Sequence, residues 1–251
     1  MTNICVIGAR GRMGINICSV INDNPATEIS GLAERPGHED IGKEINGIEV
    51  KGSLKEALSG ADAAIDFSSV EATLQNAQIC SEAGIPLVIG TTGFSPKEKD
   101  ILKKYSRKSA LLLSPNMSVG VNLIFKIAKE ISERLPGYEK EIIESHHSRK
   151  VDAPSGTAMK IAQMIAGKED EYIYGRRGEA GPREKNEIGI HAVRGGNIVG
   201  EHTVIWIGPY DRIELTHRAA SRKLFAQGAV RASIWIARKE KGFYSMEDVL
   251  K

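Results

Sequence analysis

Three glycines, Gly8, Gly11 and Gly14, follow the apolar run Ile4 to Ile7 and open a segment whose apolar residues, Ile15 to Ile21, recur at helical spacing. A second β-favouring run, Ile29 to Ala33, comes next. Strand, glycine turn, helix, strand is the βαβ order of a dinucleotide site. The spacing is GxxGxxG rather than GxGxxG, but the physics is shared. Small residues let the backbone approach a pyrophosphate, and the N–H groups at the helix start meet its charge. Residues Gly8, Ala9, Arg10, Gly11, Arg12 and Met13 form that turn. Glu34 stands about 20 residues beyond Gly14, where an acid accepts hydrogen bonds from ribose hydroxyls, and Arg35 beside it suits a 2′-phosphate. The pair predicts use of both NADH and NADPH.

The alternation continues through Ala63 to Phe67, a helix containing Leu74 and Ile79, Leu87 to Ile89, a helix after Pro96, and Leu111 to Leu113. Strands alternating with helices imply an α/β, Rossmann-type doubly wound parallel sheet. Gly90, Thr91 and Thr92 follow one strand of it, with hydroxyls and N–H groups suited to the nicotinamide end. Ser114, Pro115, Asn116 and Met117 follow another, and their place at a domain junction favours a role in a cleft. Beyond residue 118 the pattern changes. A helix from Val119 to Arg134 leads to a strand over Lys140 to Ser145 and a short helix. Three strand-like runs come after it: Ile188 to Val193, Ile198 to Ile207 and Ile213 to Thr216, with Gly195-Gly196-Asn197 as a turn between two of them. This predicts a smaller α+β domain with a mixed or antiparallel sheet. Residues 168–186, rich in charge and glycine, are expected to form a long mobile loop. The helical stretch Phe225 to Lys239 must bury an apolar stripe against one domain or the other.

Lys and Arg total 34 against 32 Asp and Glu, spread along the chain, so a nucleic-acid footprint or a polybasic membrane patch is not expected. The cluster from Lys97 to Lys108 is interleaved with Glu98 and Asp100 and suits a solvated helix face. No apolar run is long enough to span a bilayer, and the first 20 residues do not resemble a signal peptide. Cys5, Cys18 and Cys80 lie in apolar segments without CxxC spacing, which predicts buried thiols and a cytoplasmic protein.

The densest polar segment runs from Glu144 through Ser145, His146, His147, Ser148, Arg149, Lys150, Val151, Asp152, Ala153, Pro154, Ser155 and Gly156 to Thr157. Two histidines, a lysine and a Ser-Gly-Thr helix start combine proton donors with an anion site for a carboxylate. Adjacent strand residues face opposite ways, so if the strand continues through both histidines they serve different tasks. The alternative is that both are ordinary hydrogen-bonded histidines and Ser155 only caps a helix. No third ligand at zinc spacing is present, so no metal is expected.

The run from Glu141 to Ala158 closely resembles the signature of the 4-hydroxy-tetrahydrodipicolinate (dihydrodipicolinate) reductase family. Gly8 to Gly14, Gly90 to Phe94, Asn116 to Asn122 and Val199 to Thr203 extend the resemblance over nearly the whole chain. Arg10 departs from a frequent glycine, and Ser114-Pro115 from smaller residues. The resemblance implies NAD(P)H-dependent reduction of a cyclic dicarboxylate to tetrahydrodipicolinate in the diaminopimelate route to lysine. It matches His146 to the acid/base histidine, Lys150 to the proton-donating lysine, and His147, Gly156 and Thr157, with Ser155 beside them, to substrate contacts. It assigns nucleotide contacts to Gly8 to Met13, Glu34 or Arg35, Gly90 to Thr92 and Ser114 to Met117. It also implies a nucleotide domain of residues 1–118 with 222–251, a substrate domain of residues 119–221, and a homotetramer built through the smaller sheet. Two other readings are another NAD(P)-dependent amino-dicarboxylate dehydrogenase, such as an aspartate dehydrogenase, and a non-catalytic nucleotide sensor. The first shares the fold without the His-His-Ser-Arg-Lys run, and the second needs no paired proton donors.

Overall fold

The computed structural model describes residues 1–251. Its contacts divide into two units, Met1–Val119 with Lys223–Lys251, and Gly120–Arg222.

In chain order the first unit begins with β1 (Thr2–Ile7), α1 (Arg12–Asn22), β2 (Thr27–Ala33), β3 (Glu44–Ile45), β4 (Ile48–Lys51), α2 (Leu54–Ala57) and β5 (Ala63–Asp66). It continues with α3 (Val70–Ala83), β6 (Leu87–Ile89), α4 (Pro96–Tyr105) and β7 (Ala110–Leu113). The second unit holds α5 (Val119–Arg134), β8 (Glu139–His146), α6 (Gly156–Ile165), β9 (Glu171–Tyr174), β10 (Glu187–Arg194), β11 (Glu201–Ile207) and β12 (Arg212–Arg218). The chain then completes the first unit with α7 (Lys223–Ile236), β13 (Gly242–Tyr244) and α8 (Met246–Val249).

The first unit's sheet has the order β13-β7-β6-β5-β1-β2-β4-β3, parallel throughout except for the β3–β4 hairpin. Alternate residues of its central strands divide between two cores, as the period of two requires. Ile4, Val6, Ala63, Ile65, Val88 and Leu112 pack with Ile17 and Ile21 of α1 and with Ala226, Ala229 and Val230 of α7. Cys5, Ile7, Ala64, Leu87, Ile89 and Leu111 pack on the other face with Ala77 of α3 and Leu102 of α4. The two separate cores make this sheet doubly wound. The three cysteines are free and buried. No helix is long and apolar enough to cross a membrane.

The second unit's sheet has the order β12-β11-β8-β10-β9. β8, β10 and β9 are parallel, and β11 runs antiparallel to β8 and β12, so the sheet is mixed. One face carries Ile142, Ile188, Ile190, Val204 and Trp206 against Ile124, Phe125 and Ala128 of α5 and Ala158, Ile161 and Ala162 of α6. The Trp206 indole N–H donates to Ser132 Oγ at 2.8 Å.

Two expectations are corrected. The Gly195-Gly196-Asn197 turn does not join neighbouring strands, because β8 lies between β10 and β11. The turn instead crosses the end of β8, where Gly195 N donates to His146 O at 2.9 Å and Ser148 N donates to Gly196 O at 3.3 Å. Residues 168–186 are not simply a loop, since they contain β9, paired with β10. Their charges are committed as well: Arg176 forms a double hydrogen bond to Glu141, and Arg183 Nε donates to the same carboxylate at 3.2 Å.

Candidate active site

The first unit gathers its expected nucleotide residues at one sheet edge. β1, β2, β5, β6 and β7 all end there, and β1 marks the reversal of strand order, with β2 on one side and β5 on the other. Such a reversal is where open α/β sheets leave a crevice. Gly8 adopts φ +71°, and Gly11 N donates back to its carbonyl at 3.0 Å. A Cβ on Gly14 would press on the Gly8 carbonyl oxygen and come within 2.7 Å of the Ala9 backbone. Only glycine lets turn and helix meet so closely. Gly11 caps α1 without a side-chain acceptor, and no acid stands in the first turn, so this helix start is suited to an external anion.

Glu34 directly follows β2. Its Oε1 accepts from Arg10 N at 2.8 Å and its Oε2 from Arg35 N at 3.3 Å, which ties the acid to the turn. Arg10 Nε donates to Asp40 at 2.6 Å, a partner the motif spacing did not reach. Arg12 and Arg35 are exposed. Thr92 is exposed too, but the Thr91 hydroxyl turns inward to Thr73 Oγ1 at 2.9 Å. Ser114 Oγ donates to Asn116 O at 2.8 Å, and Met117 is in the core. Thr91 and Met117 therefore leave mainly backbone atoms to a ligand. The uncapped helix start, the glycine cradle and the acid after β2 fit a dinucleotide.

The second unit builds its polar centre on β8. Glu144 and His146 are two residues apart and so share a face, the one covered by α5 and α6. Glu144 is fully buried, and its Oε2 accepts from His146 Nδ1 at 2.5 Å. Arg194 closes on the carboxylate with both Nη atoms, at 2.9 and 2.7 Å, and Ser155 N donates to Oε1 at 3.0 Å. Burial pushes the Glu144 carboxyl up, but the bonds from His146, Arg194 and Ser155 N outweigh it and hold it at about 2. An ionised Glu144 makes His146 Nδ1 the donor, so the tautomer is set and Nε2 is left for other chemistry. His202, opposite Glu144 across the β8–β11 pairing, stacks edge-on against the His146 ring at 5.2 Å and bonds to Ser155 Oγ at 3.1 Å. Burial, then the neighbouring His146, lowers His202 to about 4, so it stays neutral.

β8 ends at His146. His147 lies beyond the strand, half-buried, with its Nδ1 enclosed and without a partner. The two histidines do have separate surroundings, because the strand stops between them and not because it continues. Burial, followed by Arg149 and Arg222, lowers the His147 pKa. Lys150 N donates to His147 O at 3.0 Å, and Lys150 Nζ pairs with Asp152 at 2.8 Å. Ser155 caps α6 by accepting from Ala158 N at 3.1 Å and is almost wholly buried. It serves the helix start, while Gly156 is exposed and Thr157 half-buried at the first turn. His146, Lys150 and the α6 N-terminus thus combine a proton-transfer group, an ammonium and N–H donors for a carboxylate.

Glu144 was visible within the motif, but its part in orienting His146 was not assigned. Asp152 and His202 also stood in quoted segments without a role, and Arg194 was missed. Only the alternate spacing of Glu144 and His146 carried a local signal.

A model of the N-terminal part of dihydrodipicolinate reductase matches residues 2–117, and a model of its C-terminal part matches residues 120–250. This chain belongs to the dihydrodipicolinate reductase family. A 4-hydroxy-tetrahydrodipicolinate reductase of Anaeromyxobacter dehalogenans is 45% identical, over 100% of this chain and 98% of that protein. One from Methanopyrus kandleri is 42% identical, over 100% and 97%. Among solved structures, the dipicolinate-bound dihydrodipicolinate reductase of Paenisporosarcina sp. TG-14 has a TM-score of 0.81 and 26% identity, covering 98% of this chain and 97% of that one. Membership of the dihydrodipicolinate reductase family extends through both units, including the His146 to Thr157 segment.

Proposed function

We propose that this chain carries out the reaction its curated relatives are named for, the NADH- or NADPH-dependent reduction of 4-hydroxy-tetrahydrodipicolinate or its dehydrated form to tetrahydrodipicolinate. As a member of its family it is an NAD(P)H-dependent oxidoreductase of the diaminopimelate route to lysine. The observation that carries the residue assignment is the buried Glu144–His146 pair, clamped by Arg194 and the α6 N-terminus. A nucleotide sensor has no use for an imidazole held this way.

Gly8 to Met13 would hold the pyrophosphate, Glu34 and Arg35 the adenosine ribose, and Gly90 to Thr92 with Ser114 to Met117 the nicotinamide end. When bound, the dihydronicotinamide supplies a hydride. The chain's own groups handle the negative charge and the proton that completes the reduction. Lys150 and His146 stabilise charge developing on the conjugated C=C–C=N system, and one of them delivers the proton. Glu144 keeps His146 in one tautomer and orientation. The substrate carboxylates meet the N–H groups at Gly156 and Thr157, positioned by the Ser155 cap, and the imidazole of His147.

A homotetramer in the cytoplasm completes the proposal. The open face of the smaller sheet exposes Ile143 and Val193, 38% and 47% accessible, on a surface suited to a second copy. The free cysteines suit a reducing compartment. The test is steady-state NADH and NADPH oxidation with freshly generated substrate. His146→Ala and Lys150→Ala should each lower kcat by about 10²-fold or more with folding intact. Unchanged turnover in both variants would overturn the assigned roles.

A further inference from the structure

The acid expected to meet the ribose has a second carboxylate close by. Arg10 N donates to Glu34, and the same residue's side chain reaches the other way, Nε donating to Asp40 Oδ2 at 2.6 Å. Lys43 Nζ donates to Asp40 Oδ1, also at 2.6 Å. Two cations, one of them on the turn tied to Glu34, therefore converge on one carboxylate. Asp40 is the least accessible of the three, with a side chain 13% exposed against 40% for Arg10 and 62% for Lys43. The cations remain open to a ligand while their counter-ion lies beneath them.

The loop that carries Asp40 is fixed in place. Gly42 N donates to Val50 O and Val50 N to Lys43 O, both at 2.9 Å, which ties it to β4. Asp40 N donates to His38 Nδ1 at 3.2 Å. Hydrogen bonds from Lys43 and then Arg10 hold the Asp40 carboxyl down at about 2, so it is an anion at any working pH.

NADH and NADPH differ at this end of the nucleotide by a 2′-phosphate carrying roughly −1.5 to −2 charges at neutral pH, by analogy with other phosphomonoesters. A carboxylate already shared by Arg10 and Lys43 opposes that phosphate in two ways: it occupies their donors and it repels the incoming charge. We propose that Asp40 is a specificity-determining residue, holding Arg10 and Lys43 as a counter-ion and so tilting the adenosine site towards NADH. The inference rests on the dinucleotide reading of the first unit.

Binding is measured without substrate, by calorimetric titration of the full-length protein with NADH, NADPH and adenosine 2′,5′-bisphosphate. Asp40→Asn should raise the affinity for NADPH relative to NADH by about tenfold or more at low salt, with the gain shrinking at high ionic strength. The bisphosphate should gain in parallel. Asp40→Glu should retain the original ratio, and Arg10→Ala placed on Asp40→Asn should abolish most of the gain. A ratio that stays constant, or moves towards NADH, in Asp40→Asn overturns the inference, and the latter result would mean that Asp40 presents Arg10 to the phosphate. If the unaltered protein binds neither nucleotide, the dinucleotide reading falls and the inference with it.

Discussion

Glu144 and His146, two residues apart on β8, are joined at 2.5 Å between a carboxylate with no solvent exposure and the imidazole Nδ1. Arg194 and Ser155 N saturate the rest of that carboxylate, so the acid can remain charged inside the unit and fix its histidine.

Glu144→Gln keeps the shape but removes the charge that sets the His146 tautomer. Turnover should fall by about 10²-fold, in line with the usual contribution of a positioned proton-transfer group. The pH profile of kcat should shift as well, which lost packing alone would not produce. Glu144→Ala additionally strands Arg194 and should lower the unfolding free energy by about 3 kcal/mol. Urea denaturation of both variants, beside their pH–rate profiles, checks the pair of effects.

His202 governs part of the acid sensitivity. Its pKa is lowered to about 4 from 6.5, so the unfolded chain takes up a proton that the folded chain refuses. The resulting stability is complete above pH 6.5 and declines as the pH falls towards 4, by up to about 1.4 kcal/mol per pH unit for one proton. Glu144 acts lower, its contribution being lost as the pH falls from 4.5 towards 2. Unfolding free energies measured between pH 7 and 4 should show a shallower slope for His202→Gln than for the unaltered protein. Equal slopes would assign the proton uptake to other groups.

Gly200 backs the His146 imidazole: a Cβ there would lie 3.1 Å from Nε2. Gly200→Ala should displace the ring by a few tenths of an ångström and lower kcat roughly tenfold, since small misplacements of reacting groups cost rate steeply. Parallel thermal melts should show little change. A full rate in the variant would indicate that the ring can yield without consequence.

Gly14→Ala tests the other unit. The added carbon meets the backbone of Gly8 and Ala9, which cannot move as a side-chain tip can. The variant should lose about 1–3 kcal/mol of stability from overpacking, together with most of its NADH affinity. Denaturation and nucleotide titration together measure both.

Much of the first unit was legible because its signals are local. The runs at Ile4, Ala63, Leu87 and Leu111 became strands, and the glycine turn met the start of α1. Asn46-Gly47, both with positive φ between β3 and β4, was a hairpin signal that went unread. The four-residue β9 and three-residue β13 carry too few residues to display a period, and they exist as strands through pairing with β10 and β7.

The sequence by itself determined the βαβ start, the alternation of strands and helices, and the segment from His146 to Thr157 that holds the candidate chemistry, because each depends on neighbours along the chain. Only the tertiary structure decided that Arg194 reaches Glu144, that His202 stacks on His146 and that Asp40 takes the charge of Arg10. Those contacts join residues dozens of positions apart through strand register and loop anchoring, which no periodicity encodes.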